Sequence, residues 1–305
     1  MPLKIIFEMK IFFEKILIFF AILVIIAVSC TERIDIKTND APSRVVIYGY
    51  ITSDTTQHSI RITRSAGYFT TDRPEGISNA IVTITNDNGN VIHLAECDET
   101  QGLYLTAPDV YGEEGKTYRL DVMLDTGEHY QASAYLQHIN HIDSVGLRLS
   151  PFLRNTVEVL LYAQDLGHIT YYSIFVAIND SVVNPTINRF FIMDNVFFRG
   201  QYINGVECFF LNQSPNHEFR NEILHVGDKV TLNINAISEE YANFITAVQS
   251  EIRGSNPIFG GPPANVPTNI RRIYPKGGIA PVGFFTAFPR RYAYTIVTED
   301  FSVKN

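Results

Sequence analysis

Ile81-Val82-Thr83-Ile84-Thr85-Asn86-Asp87-Asn88-Gly89-Asn90-Val91-Ile92-His93-Leu94-Ala95 decides the fold. Apolar and polar residues alternate up to Asn88-Gly89, whose two positions tolerate φ > 0, and Val91, His93 and Ala95 return beside the outgoing run. Alternating runs on either side of such a pair predict a β-hairpin. The same period of two spreads outward. Upstream, Val45, Ile47, Gly49 and Ile51 alternate with Val46, Tyr48 and Tyr50, and Ile60 and Ile62 alternate with Arg61 and Thr63. Downstream, Tyr118, Leu120, Val122 and Leu124 alternate with Arg119, Asp121 and Met123, and Asp125-Thr126-Gly127-Glu128 turns the chain into a strand that ends near Tyr135.

About seven short strands without a helix over residues 43–138 predict an immunoglobulin-like or transthyretin-like β-sandwich. The pattern breaks near 137–142, so a second β-rich, sandwich-like domain is expected over 139–305. Its strands are read at 145–149, 156–163, 171–178, 189–196, 206–211, 229–236 and 292–298. One amphipathic helix is expected over 239–252, capped by Ser238, because Tyr241, Phe244, Ile245, Val248 and Ile252 form a single apolar stripe. The glycines and prolines of 254–269 then forbid regular structure. The whole reads as all-β with one helix.

At the other end, Lys10 and Lys15 precede an apolar run from Ile16 to Val28. That run is shorter than the ~20 residues a spanning helix needs and fits the ~7–15 of a signal-peptide core. Residues 1–29 are therefore read as an export signal and 30–42 as a polar tether. Ala27-Val28-Ser29-Cys30 resembles a lipobox, in which the cysteine is acylated and becomes the mature N-terminus; Ala27 stands where leucine is usual. An ordinary secretory signal that merely lies close to Cys30 is the competing reading. Cleavage leaves 276 of the 305 residues and, with three lysines and two glutamates gone, takes the formal net charge from −8 to −9. Such a surface repels nucleic acid.

Pro262-Pro263-Ala264-Asn265-Val266-Pro267-Thr268-Asn269-Ile270, Gly277-Gly278 and Gly283-Phe284-Phe285 together resemble the C-terminal hallmark of a Bacteroidota lipoprotein family known as domain of unknown function 4249. Gly227-Asp228-Lys229-Val230 leading into Ser238-Glu239-Glu240-Tyr241 is similar to its strand-then-helix segment, and Asp165 ahead of Tyr171-Tyr172 to its central strand pair. Arg271-Arg272-Ile273-Tyr274-Pro275-Lys276 departs from the family pattern by adding bulk. The resemblance implies an outer-membrane location, anchored in lipid through Cys30, beside a TonB-dependent transporter as partner. It supplies no catalytic residues.

The residues themselves offer two candidate binding surfaces. The doublets Tyr171-Tyr172, Phe197-Phe198 and Phe284-Phe285 belong to the first, because adjacent strand residues face opposite ways and one ring of each pair leaves a one-sided core. A sheet covered on both faces buries both rings instead. The loop at 254–269 belongs to the second, with Phe259, Pro262, Pro263, Asn265 and Asn269; it reads equally as a stiff crossover and as a recognition loop on a rigid scaffold. His138, His141 and Asp143 have the chemistry of a metal site, but in an extended linker two histidines three apart point to opposite sides. Cys97 and Cys208 lie far apart and read as small buried hydrophobes rather than as a bridge.

No P-loop, G-x-S-x-G elbow, G-x-G-x-x-G fingerprint or H-E-x-x-H helix occurs, so no catalytic residue, metal or cofactor is expected. The function expected is that of a lipid-anchored outer-membrane binding protein working beside a transporter in nutrient capture. A structural or adhesive envelope protein is the alternative. A glycan hydrolase, whose dispersed carboxylates leave no local mark, ranks below both.

Overall fold

A computed structural model describes residues 15–16, 43–65, 74–214, 220–253 and 266–301. The hairpin expected at Asn88-Gly89 forms between β3 (Ile81–Asn86) and β4 (Val91–Glu96). Only Gly89 takes positive φ there, at 85°. The N–H of Asn86 bonds to the carbonyl of Asn90, so the loop is a three-residue turn with glycine in the left-handed position rather than a two-residue turn that needs φ > 0 twice. Asn86 Oδ1 braces it by accepting from the N–H groups of Asn88 and Asn90, at 3.1 and 3.0 Å. The turn at 125–127 between β6 (Thr117–Met123) and β7 (His129–Tyr135) repeats the construction, with Gly127 at φ 84°.

β1 (Val45–Thr52), β2 (Ser59–Arg64) and β5 (Leu103–Leu105) complete the strands of 43–138. β4 is shared between two layers: residues 91–94 pair with β3 and residues 95–96 with β5. A single nine-stranded order, β15-β7-β6-β3-β4-β5-β2-β1-β16, therefore bends at β4 into two facing sheets. Their shared core holds Ile47, Ile62, Ile84, Leu120, Tyr130 and Phe285, each at most 2% exposed.

Both ends of that order come from far down the chain, which corrects the expected division at 138/139. β15 (Arg271–Tyr274) pairs antiparallel with β7, and β16 (Val282–Phe288) pairs parallel with β1 from Val46↔Val282 to Thr52↔Phe288. Gly283 allows the approach: its φ is 104°, and a Cβ there would lie 2.0 Å from the Ile47 carbonyl oxygen. Residues 43–138 thus form a sandwich only together with strands that follow the helix.

The second body packs two sheets face to face. One is β13 (Tyr202–Asn212), β9 (Thr156–Gln164) and β8 (Ile142–Leu149). The other runs β11 (Ser181–Val182), β10 (Tyr171–Ile178), β14 (Lys229–Ile237), β17 (Arg290–Ile296), with β12 (Phe191–Asp194) sharing the outer edge of β10 with β11. Alternation decides which side is core: Ile174 and Val176 on β10 and Val230 and Leu232 on β14 face inward at 0% exposure, leaving Thr231, Asn233 and Asn235 on the outer face. Between β11 and β12, buried Asn184 stands in for a missing strand residue. Its amide accepts from the Val176 N–H at 3.1 Å and donates to the Ile174 carbonyl at 2.9 Å.

The helix, α1 (Glu239–Arg253), begins where expected: Ser238 Oγ accepts from the Tyr241 N–H at 3.2 Å, and Glu239 and Glu240 occupy the first turn. Tyr241, Phe244 and Ile245 are buried, but Ile252, in the last turn, is 47% exposed. α1 covers the outer faces of β1 and β16, packing Tyr241 and Phe244 against Phe284 with rings tilted by 40° and centroid separations of 5.3 and 5.1 Å. Among the described residues no helix is long and apolar enough to cross a membrane.

Candidate functional site

β16 ends at Phe288 and β17 begins at Arg290, so a single residue, Pro289, carries the chain from the first body into the second. The outer faces of β1 and β16 meet the outer face of the β10-β14-β17 sheet there, and a cleft opens between them. Two openings of about 500 and 260 Å³ share Phe175, Val182, Asn233 and Arg290 in their linings. Their combined size suits a small organic ligand. A further cavity beside Asp165, of about 30 Å³, has room for roughly one water.

The floor of the cleft is β14. Register places Asn235 beside Ser173 and Arg290, Asn233 beside Phe175 and Tyr292, and Thr231 beside Ala177 and Tyr294. Asn235 is fully buried and donates to Ser173 Oγ at 3.1 Å, while Thr231 and Asn233 are partly open. Thr231 Oγ1, Asn233 Oδ1, Asn235 Oδ1 and Arg290 Nε are all shielded from solvent and have no hydrogen-bond partner among the described residues. Buried polar atoms are seldom left so, and each exception calls for an explanation.

The walls are aromatic. Tyr292 and Tyr294 are 50% and 64% exposed on one side; Tyr48, Tyr50 and Phe288 stand on the other. Arg290 sits between them, its guanidinium 5.6 Å from the Tyr50 ring centre and 5.5 Å from that of Phe288. Asp54 accepts from Arg290 Nη1 at 3.3 Å and from the Tyr292 hydroxyl. Burial, and then that bond to Asp54, raise the Tyr292 phenol above its ordinary range. Lys229 pairs with Asp180 at 3.0 Å and lies over the Tyr294 ring. His58, beside Asp54 and Arg290, is 1% exposed; burial, then the Arg290 cation, lower its pKa against the opposing pull of backbone bonds to Val110 and Asp54.

The residues singled out from sequence lie elsewhere. Phe284 and Phe285 are 3% and 0% exposed, one under α1 and one in the first core, and with Asn269 they line a separate opening of about 370 Å³ beside Ser133, Ser238 and Arg271. Tyr172 is 8% exposed in the second core, while Tyr171 packs beside α1. Phe198 packs against the second core, and Phe197 stands 92% exposed on the turn after β12. Asn269 uses its amide structurally, donating to the Phe285 carbonyl at 2.7 Å and accepting from the Phe285 N–H at 3.0 Å. Cys30, Phe259, Pro262, Pro263 and Asn265 lie outside the described residues.

His138 and His141 do not converge: His138 pairs with Glu114 at 3.4 Å and His141 with Asp143 at 2.8 Å. Cys97 and Cys208 are both free, and burial pushes the Cys208 thiol up to about 12. The cleft residues were missed because the alternation of Thr231, Asn233 and Asn235 with Val230, Leu232 and Ile234 reads as an ordinary solvated strand face. The signal available was amide side chains on consecutive outward positions of a strand flanked by Tyr292 and Tyr294.

Fold and cleft together define an all-β protein in which two layered bodies, joined by residues 136–141, by the helix segment and by Pro289, line a polar-floored aromatic groove. The chain belongs to the family Domain of unknown function (DUF4249), whose model matches residues 31–290. No curated protein matches it. Among solved structures it is similar to a DUF4785 family protein from Legionella pneumophila, at 12% identity and TM-score 0.24, over 64% of this chain and 52% of that one. It is also similar to murine CEACAM1b, at 9% identity and TM-score 0.20, over 83% of this chain and 98% of that one. The chain spans about half the length of the Legionella protein, and at these scores neither likeness carries an argument.

Proposed function

We propose that this chain is an exported lipoprotein, acylated at Cys30 and held at the outer membrane, which captures a ligand in the β14 cleft for a neighbouring TonB-dependent transporter. One observation carries the binding half of the reading: Thr231, Asn233 and Arg290, which line a groove walled by tyrosines, each hold a shielded polar atom without a partner among the described residues. A passive spacer has no use for such a groove. The carboxylates at its edge are engaged, Asp54 by Arg290 and Tyr292 and Asp180 by Lys229, which favours binding over hydrolysis. The anchoring half is supported by the apolar run ending in Ala27-Val28-Ser29-Cys30.

Labelling cells with radioactive palmitate, with and without Cys30→Ser, tests the anchor, and gentle detergent extraction of tagged full-length protein tests the partner. Palmitate should label the wild type only, and an outer-membrane transporter should co-purify. An intact, unlabelled N-terminus on a cytosolic protein would end the proposal.

A further inference from the structure

Resting on the binding reading of the cleft, we infer that its ligand is a neutral carbohydrate, with sugar rings laid against Tyr292 and Tyr294 and hydroxyls bonded to Thr231, Asn233 and Arg290. The unpartnered atoms set the first requirement. Asn233 Oδ1 needs a donor, Arg290 Nε needs an acceptor, and Thr231 Oγ1 can serve as either. A ligand must therefore both donate and accept within one groove, as hydroxyl groups do. Thr231 and Asn233 are two residues apart on one strand, roughly 7 Å, a separation that a hydroxylated ring spans.

The walls set the second requirement. Tyrosine offers an apolar ring face together with a polar tip; Tyr292, its hydroxyl held by Asp54, and Tyr294, with Lys229 over one ring face, are 50% and 64% exposed. A sugar ring is the complementary object, with C–H groups on its faces and hydroxyls around its rim.

Charge sets the third. The groove holds two cations, Arg290 and Lys229, and each is matched by a carboxylate, Asp54 and Asp180. An anionic ligand would meet those carboxylates and a cationic one would meet the guanidinium, so the balanced groove favours a neutral guest. A peptide added as a strand is disfavoured, because β14 already bonds to β10 and β17 and the floor offers side chains instead of free backbone.

The test is calorimetric titration of the full-length protein in a detergent without a sugar headgroup. Neutral hexasaccharides (cellohexaose, xylohexaose, maltohexaose and mannohexaose) are compared with oligogalacturonate, with chitosan hexamer and with mixed Gly/Ala/Ser hexapeptides. At least one neutral hexasaccharide should bind, and Asn233→Ala and Tyr294→Ala should each weaken it about tenfold. Tyr294 is largely exposed, so its variant should melt with the wild type and separates lost binding from lost folding. If only a charged saccharide or a peptide binds, and the same variants abolish it, the ligand class is wrong and the cleft reading survives. If no probe binds, or the variants leave binding unchanged, both fail.

Discussion

Asp165→Asn is a discriminating single change for this fold, because it preserves shape and alters only charge and hydrogen-bonding sense. Asp165 is 5% exposed, and its carboxylate gathers the loop before β10 and the turn after β12. Oδ1 accepts from the Tyr172 hydroxyl at 3.2 Å and from Asn195 Nδ2 at 2.8 Å; Oδ2 accepts from the N–H groups of Gly167 and Gly200 at 2.9 and 2.7 Å. An asparagine with its NH2 at the Oδ2 position meets the N–H groups of Gly167 and Gly200; turned the other way it meets the Asn195 Nδ2 donor, while the Tyr172 hydroxyl can rotate to accept. Rotating the Asn195 amide gives no rescue, since its Oδ1 accepts from the Thr170 N–H and its Nδ2 also donates to the His168 carbonyl. The better orientation still forfeits the bond to Asn195, at roughly 1.5–3 kcal/mol, and the charge that strengthens the other three, which puts the loss at about 2–4 kcal/mol. Asp165→Ala leaves all four donors without an acceptor, even if water entering beside the 30 Å³ cavity serves some of them, so alanine should cost at least as much as asparagine. Urea unfolding followed by circular dichroism measures both. Retention of wild-type stability by the asparagine variant to within about 1 kcal/mol would refute the assignment of Asp165 as the organiser of this junction.

The pH dependence of the same transition separates two groups. Burial works to raise the Asp165 carboxyl and its four donors outweigh it, so its pKa is lowered; its contribution is present above the unfolded value of 3.8 and is lost as pH falls through and below it. His58 is also lowered, by burial first and then by Arg290, so its share of stability is whole above 6.5 and declines below that, at up to about 1.4 kcal/mol per pH unit. His58→Leu should flatten the curve between pH 7 and 5.5 relative to wild type, and an unchanged slope would exclude His58 as its source. Gly283→Ala should cost at least about 3 kcal/mol, because the new Cβ meets the Ile47 carbonyl in a left-handed backbone, whereas Gly89→Ala, with nothing within 4 Å, should cost only about 1–2 kcal/mol. Equal thermal shifts for the two would contradict the close parallel approach of β1 and β16.

Strands with one face in a core were legible from residue type alone. Tyr171–Ile178 alternates between core and outer face throughout, and Ser238 marks the start of α1 as its capping chemistry requires. β16 was not legible, because α1 covers one face and the first core the other, so Phe284-Phe285-Thr286-Ala287-Phe288 carries no period of two. Its parallel partner lies more than 230 residues upstream, at a separation no local pattern encodes. For the same reason the two rings of the doublet Phe284-Phe285 belong to two cores. The cleft was half legible: Thr231, Asn233 and Asn235 announce a polar strand face, but nothing in β14 shows that Tyr50 and Phe288 will stand opposite.

That opposition follows from Pro289. Phe288 closes the register with Thr52 on β1, and Arg290, two residues later, opens the register with Asn235 on β14. Proline has no N–H to offer either sheet and restricts its own φ, so it suits the single position where the strand leaves one sheet for the other. The crossing is pinned on both sides: the Arg290 N–H bonds to Ser53 Oγ at 2.9 Å, Arg290 Nη1 reaches Asp54, and Arg291 donates to Glu114 and to the Ile139 carbonyl. Phe288 on one wall and Tyr292 on the other are consequently four residues apart in a nearly continuous strand. The groove is built by covalent proximity and does not depend on closure of two independent domains, so a ligand entering it meets side chains already in place and binding carries little cost of ordering them.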